Sequence, residues 1–245
     1  MTSHRVAVVL PARYHSSRFP GKPLALLAGR PLIQWVFDRA ERIGGVSRVL
    51  VATDHDGIAS VVKGFGGEVV MTSRDHETGT DRVAEVATEL EEDIIVNLQG
   101  DEPAFPPELV EEMVAPLRHS TTIDIVTACH EIRDPNEIGN CNVVKVVMDQ
   151  SSRALYFSRS AIPAPAGGGE SAPAHRHIGI YAFHKASLLR FAGYTRTPLE
   201  RAENLEQLRA LENGMVVHVV KTTYRTVGVD VPEDIKTVEK ALAST

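Results

Sequence analysis

Two cysteines, Cys129 and Cys141, in 245 residues are too few for a disulfide framework, and their spacing is not that of a metal site. Cys129 lies in the apolar run Ile123–Cys129, which predicts a buried thiol in a reducing compartment. No apolar run approaches the length that spans a bilayer, so membrane insertion is not expected. Arg5 is followed only by the short run Val6–Leu10 before Pro11, too little for the core of a signal peptide. The expected compartment is the cytoplasm. Positive charge is scarce as well: 26 Lys and Arg against 32 Asp and Glu leave a net charge of −6. That balance argues against a general nucleic-acid or membrane-surface binder. Any site for a polyanion must therefore be built locally, against the average field. Internal repeats, heptads and low-complexity tracts are absent. What remains, 43% hydrophobic and 24% charged residues, suits one globular domain with a sizeable core, with or without an inserted subdomain.

Strand-like and helix-like segments alternate from the start. Val6–Leu10, Arg48–Ala52, Glu68–Met71, Asp93–Leu98 and Asp124–His130 read as strands. Helices are predicted at Pro31–Ile43, Ile58–Phe65, Gly79–Glu91 and Pro107–Leu117 between them. Strands separated by helices of this length point to an α/β protein with a mostly parallel sheet. After residue 130 the rhythm changes. Val143–Asp149 and Ala154–Ser158 read as two β segments, and 131–175 as an excursion carrying a smaller β element. The loop Ala161–His175, rich in Pro, Gly and Ala, reads as a mobile lid. Strand Ile178–Phe183, helix Lys185–Ala192, one helix over Leu199–Asn213 stopped by Gly214, strand Met215–Lys221 and helix Pro232–Leu242 complete the chain.

Chemistry concentrates in three pieces. The loop Pro11–Leu24 places Arg13, Arg18 and Lys22 at the carboxyl end of the first strand, where open α/β sheets bind ligands. Three cations there suit a substrate with several phosphates, although a solvated basic turn would look the same in isolation. Gly21-Lys22 is not a P-loop, since Pro23 replaces the Ser or Thr and Ser16 replaces the first Gly. The second piece, Asn97–Pro103, ends the strand Asp93–Leu98 and offers Asp101 as a Mg²⁺ ligand, or as a helix cap. The third, Val227–Asp234, offers Asp230 either as a second metal carboxylate or as a cap with Glu233. No Ser/His/Asp set or activated Cys stands out as base or nucleophile. His76 reads as an organiser of its turn. The pattern suits direct attack of a hydroxyl on a phosphorus, driven by positioning and charge neutralisation.

Read together with further blocks, the chain resembles the 3-deoxy-manno-octulosonate (Kdo) cytidylyltransferases. The resemblance rests on Pro11-Ala12-Arg13, Arg18–Leu24, Ala52-Thr53-Asp54, Asp75–Arg82 and Asn97–Pro103. It continues through Asn142–Val147, Ala154–Ser160, His177–Tyr181, Leu205–Arg209 and Gly228-Val229-Asp230. The first blocks alone would indicate some sugar nucleotidyltransferase, and the later ones are those of the Kdo type. Departures are small: Asp81 replaces a Glu of some members, and Ala161 and Val231 stand where Pro and Thr are commoner. Val231 removes a hydroxyl beside Asp230.

The resemblance implies a Rossmann-like nucleotide-diphospho-sugar transferase fold of the glycosyltransferase A type, with 131–175 as an inserted β element that mediates dimerisation. It implies Mg²⁺-dependent transfer of CMP from CTP to the anomeric hydroxyl of Kdo, with pyrophosphate released, for lipopolysaccharide synthesis. Arg13, Lys22, Asp101 and Asp230 would be the catalytic set, with Asp101 and Asp230 on the metal. Arg13, Ser16, Lys22, Arg74, Thr78, Gly79, Thr80, Arg82, Gln99 and Gly100 would line the CTP. Arg159, His177, Tyr181, Glu206 and Gln207 would line the sugar-acid pocket, where an Arg fork suits a carboxylate and neutral or acidic groups suit hydroxyls. An 8-amino-Kdo or another 2-keto sugar acid fits the same pocket. A regulator that binds nucleotide without turnover would be expected to have lost Asp101, Asp230 or Lys22, and all three are present.

Overall fold

The structure, a computed structural model, describes residues 4–15, 19–164, 172–225 and 227–242. The chain divides into two compact units, Met1–Glu111 with Tyr224–Thr245, and Glu112–Thr223. In the first unit, β1 (Val6–Ala12) is buried along its whole length, as a strand covered on both faces must be. A 3₁₀ turn over Lys22–Leu24 follows, then a short antiparallel pair, β2 (Leu26–Leu27) and β3 (Arg30–Pro31). Its turn residues Ala28 and Gly29 both have positive φ, the geometry of a tight hairpin. Then come α1 (Leu32–Ala40), β4 (Arg48–Thr53), α2 (Asp56–Gly64), β5 (Glu68–Met71), α3 (Gly79–Thr88), β6 (Ile94–Asn97) and α4 (Pro107–His119). The strands run parallel in the order β6-β1-β4-β5.

Pro31 starts α1, and its apolar positions Leu32, Ile33, Val36, Phe37 and Ala40 form one buried face. In α3, Val83, Val86 and Ala87, with Leu90 beyond the helix end, form one buried face. Because β1 pairs with Thr53 at Ala12 and with Asn97 at Val9, the loops after β1, β4 and β6 leave from one edge of the sheet. That shared edge gathers the charged residues of distant segments.

The second unit carries β7 (Ile125–Glu131), α5 (Pro135–Gly139), β8 (Lys145–Met148), β9 (Ala154–Ser158), β10 (His175–His184), α6 (Lys185–Ala192), α7 (Pro198–Glu203), α8 (Gln207–Glu212) and β11 (Val217–Lys221). β11 is parallel to β7, while β10 is antiparallel to β7 and to β8, and β8 to β9. This unit is wider than the 131–175 excursion read from the sequence, since β8 joins β10 through Val146 and Lys145. Most of the expected lid, 165–171, lies outside the described residues. Cys129 is buried in β7, and burial pushes its thiol up to about 12. Among the described residues no helix is long and apolar enough to cross a membrane.

The single helix predicted over Leu199–Asn213 is two helices. Asn204 adopts a left-handed conformation with φ 51°, which ends α7 at Glu203, and α8 begins at Gln207. Asn tolerates that conformation through its short polar side chain. The buried Glu200 and Arg209 pair across the break through two hydrogen bonds of 2.9 and 2.7 Å. The last segment returns to the first unit as a 3₁₀ turn, Pro232–Asp234, and α9 (Ile235–Leu242). Val229 packs there with Leu27, Leu32 and Val238, which anchors the chain immediately ahead of Asp230.

Candidate active site

In the first unit, the loop after β1 turns on Gly21, whose φ of 72° favours a residue without a side chain. Its N–H donates to the Tyr14 carbonyl at 2.8 Å, and an added Cβ would come within 3.3 Å of the Tyr14 ring. That ring stacks on His55, with centroids 4.2 Å apart. The turn delivers Lys22 inward. Its ammonium donates to Asp101 Oδ2 at 2.8 Å and to the Val229 carbonyl at 3.0 Å. The Val229 N–H in turn donates to the Asp101 carbonyl at 2.9 Å. An added Cβ on Gly228 would lie 3.2 Å from that carbonyl, a tight contact that would push the two segments of chain slightly apart. Lys22, Asp101 and the residue preceding Asp230 therefore meet at one place, although 207 residues separate Lys22 from Val229. Asp230 is exposed, and the turn after it is capped by Asp234 Oδ2, which accepts from the Asp230 and Val231 N–H groups at 2.8 and 3.0 Å.

The donor set suits Mg²⁺. Two aspartates and a backbone carbonyl are hard oxygen ligands, and the Lys22 ammonium already occupies a cation's place against Asp101. Among the described residues no cluster of three or more His, Cys, Asp or Glu could hold a metal. A Mg²⁺ on two carboxylates would take its remaining ligands from water and substrate phosphates.

The residues expected at the nucleotide base also gather. Thr78 caps α3 in a reciprocal box: its hydroxyl accepts from the Asp81 N–H at 3.1 Å, and Asp81 accepts from the Thr78 N–H at 3.0 Å. Asp81 thus has the reach this box requires. Thr80 is buried and accepts from Asn97 Nδ2 at 2.9 Å, and Asn97 Oδ1 accepts from Gln99 Nε2 at 3.1 Å. Gly79 and Gly100 both lie against Pro11. Arg13 donates to the carbonyls of His76 and Glu77 at 3.4 and 2.6 Å, which ties the first loop to the turn ahead of α3. His76 pairs with Glu85, in keeping with a turn organiser. Arg74 is exposed on the same turn, and Ser16 and Arg18 lie outside the described residues.

Arg82 is placed differently from the expectation that it lines the CTP. Its side chain is fully buried and donates to Thr72 Oγ1, to the Ser73 carbonyl at 3.2 Å and to Asp54 Oδ2 at 3.0 Å. Through its two terminal nitrogens it locks the loops after β4 and β5 to α3, while its Nε has no partner among the described residues. Arg82→Ala strands Asp54 and is expected to lower unfolding free energy by about 3–5 kcal/mol in a urea titration. A loss under about 1 kcal/mol would show that the pair is not structural.

In the second unit, Arg159 follows β9. Its Nε donates to the Glu203 carbonyl at 2.7 Å, Nη1 to Cys141 O at 3.1 Å and Nη2 to Asn204 O at 3.3 Å. Glu203, Asn204 and Cys141 were not singled out from the sequence. The signal available was an Asn inside an apparent helix. His177 is buried, with Phe157 and Tyr181 around it at centroid distances of 5.0 and 5.5 Å. Its Nε2 lies 2.9 Å from Thr127 Oγ1, whose own proton is directed to the carbonyls of Ile178 and Ile180. Nε2–H is then the donor, and Nδ1 is left as a neutral acceptor. Burial pushes His177 down to about 3 and, with the charge of Glu206, pushes Tyr181 well above its ordinary value. Both are neutral at pH 7. Gln207 is buried, and among the described residues its Nε2 has no hydrogen-bond partner. A buried donor of this kind needs an acceptor oxygen, from water or from a ligand.

The sequence signature of the cytidylyltransferases matches residues 7–222. A 3-deoxy-manno-octulosonate cytidylyltransferase of Syntrophotalea carbinolica is 49% identical, over 97% of this chain and 98% of that one. This chain is a member of the 3-deoxy-manno-octulosonate cytidylyltransferase family. A second member, from Geobacter sulfurreducens, is 46% identical over 97% of this chain and 99% of its own. Within the solved cytidylyltransferases, a CMP:2-keto-3-deoxy-manno-octonic acid synthetase complexed with CTP superimposes with a TM-score of 0.93. It is 41% identical, covering 98% of this chain and 99% of that one. The α/β fold with its mostly parallel sheet is that of these nucleotidyltransferases.

Neutral His177 has a consequence for stability. The unfolded side chain protonates below about 6.5 while the folded one stays neutral. Protons therefore favour the unfolded chain, and stability complete above 6.5 is lost as pH falls toward 3, by up to roughly 1.4 kcal/mol per unit. Urea titrations from pH 7 to 4 should show a slope shallower by one proton in His177→Gln than in the wild type. Equal slopes would mean that His177 titrates normally.

Proposed function

We propose that this chain transfers CMP from CTP to the anomeric hydroxyl of 3-deoxy-manno-octulosonate, releasing pyrophosphate. Family membership supports the chemistry. The observation that carries it is the Lys22 ammonium held between Asp101 and the carbonyl preceding Asp230. Mg²⁺ held by Asp101 and Asp230 would supply charge neutralisation on the triphosphate. Lys22 and Arg13 bind phosphate oxygens and orient the α-phosphorus for in-line attack. Thr78, Gly79, Thr80, Gln99 and Gly100 bind the cytidine. The sugar hydroxyl forms the new P–O bond, the bond to the β-phosphate oxygen breaks, and the hydroxyl proton passes to solvent. Positioning supplies most of the rate, since no dedicated base is required of the chain.

For the acceptor, Arg159 meets the carboxylate, and His177 Nδ1, Tyr181, Glu206 and Gln207 Nε2 meet hydroxyls. The unpartnered Gln207 donor supports that reading. The acceptor class includes 8-amino-Kdo, because the pocket residues recognise a 2-keto acid and hydroxyl groups. A homodimer through the β8–β9 segment is supported by Leu155, 59% exposed on a strand that among the described residues has its ladder with β8 alone. A cytoplasmic location agrees with the use of CTP. Pyrophosphate release from CTP with Kdo, with 8-amino-Kdo and with other 2-keto sugar acids tests the reading. Release with Kdo that requires Mg²⁺ supports it, and silence with every acceptor overturns it.

A further inference from the structure

We propose, on the reading of Arg159 as the group that meets the substrate carboxylate, that Glu203 and Lys145 are positioning residues that hold its guanidinium for a two-pronged grip. The main chain of Arg159 and three of its side-chain N–H groups are held from within the second unit. Its N–H donates to Glu203 Oε2 at 2.9 Å, and its carbonyl accepts from Lys145 Nζ. Three of its five side-chain N–H groups go to the carbonyls of Glu203, Asn204 and Cys141. One N–H remains on each terminal nitrogen, the pair that grips a carboxylate end-on. All three acceptors are neutral, so the guanidinium charge is left for the substrate.

The acceptors are themselves fixed. Two are the carbonyls that α7 leaves unpaired where Asn204 ends it, and a helix C-terminus favours a cation. The Glu203 carboxylate accepts from Ser158 Oγ at 2.6 Å and from Tyr156 as well as from the Arg159 N–H. Burial works to raise its pKa, and these hydrogen bonds outweigh it, so Glu203 is held below its ordinary value and is charged at neutral pH.

Lys145 stands in an apolar strand with its side chain fully buried. Its three N–H groups match three carbonyls: Asn140 at 3.0 Å, Val143 at 2.6 Å and Arg159. Among the described residues no carboxylate pairs with it, and burial pushes its pKa down. An ammonium with no carboxylate in direct contact, and only the longer-range charge of Glu203 to favour it, is an expensive way to fill a core. What it achieves is a tie between the Arg159 main chain and the loop 140–143, whose Cys141 carbonyl steadies the same guanidinium. A lysine used only for packing would be replaceable by methionine with no effect on acid recognition.

The test uses the full chain as wild type, Glu203→Gln, Lys145→Met, Arg159→Ala and the double variant Arg159→Ala/Glu203→Gln. Pyrophosphate release gives KM for Kdo and for CTP, and competition gives Ki for the C1-alcohol analogue in which CH₂OH replaces the carboxylate. Glu203→Gln and Lys145→Met are each expected to raise KM for Kdo roughly 10-fold, with CTP unchanged. The alcohol's Ki should stay constant, so the preference for acid over alcohol falls by the same factor. The double variant should be no worse than Arg159→Ala. Unchanged Kdo KM, or equal loss for acid and alcohol, overturns the positioning role. If Arg159→Ala itself leaves the acid preference intact, the reading of Arg159 fails instead, and the positioning role fails with it. Glu203→Gln is nearly isosteric, so it decides the matter should Lys145→Met not fold.

Discussion

Asp101→Asn and Asp230→Asn are each expected to lower kcat by roughly 10²–10³-fold while CTP still binds. Asparagine keeps the size of the side chain and one oxygen that can accept from Lys22, and removes only the negative charge. In the proposed mechanism Lys22 and Arg13 would still meet the phosphates, so ground-state affinity should change little. The transition state should lose more, because charge builds on the leaving pyrophosphate and a Mg²⁺ held by these carboxylates would neutralise it. Calorimetry of CTP binding beside single-turnover rates separates the two effects. Near-normal rates in both variants would remove the metal assignment. Loss of CTP binding equal to the loss of rate would show that the aspartates serve binding alone. Asp101 is expected to show the larger effect, since it also fixes Lys22 and, through its backbone carbonyl, the segment leading to Asp230.

Arg159→Ala is expected to raise KM for the sugar acid by roughly 10²-fold and to leave KM for CTP within about twofold. Each charge-assisted hydrogen bond to a carboxylate contributes about 1.5–3 kcal/mol, and the fork provides two. Arg159→Lys should fall between, because an ammonium keeps the charge and loses the planar fork. The substitution also releases the carbonyls of Cys141, Glu203 and Asn204, so melting temperature belongs beside the kinetics. An equal rise for both substrates would place Arg159 outside the sugar-acid site.

Much of the fold was legible because its signals are local. Val6–Leu10 is a run of β-formers bounded by Pro11, and it is the buried strand expected. Glu68–Met71, Ala154–Ser158 and Lys185–Ala192 lie where their patterns placed them. The helix over Leu199–Asn213 misled because its apolar spacing continues through Asn204, whose left-handed conformation ends α7 and across which the distant Glu200 and Arg209 pair. Lys145 was visible as a charge within an apolar strand, yet its three carbonyls come from segments before and after that strand. The family resemblance implies Arg82 as a ligand, and only Asp54 and Thr72 show why it turns inward.

Sequence alone determined the alternation of strand and helix, hence a mostly parallel sheet with its charged loops at one edge, through short-range periodicity, turn chemistry and composition. The residues assigned to nucleotide and sugar acid came from the family resemblance. Tertiary structure alone decided that Lys22 reaches Asp101 and Val229, that Arg82 faces the interior, and that Arg159 is held by carbonyls of a broken helix. Each of these depends on which distant backbone groups are brought within hydrogen-bonding distance, and strand register and helix ends set that distance.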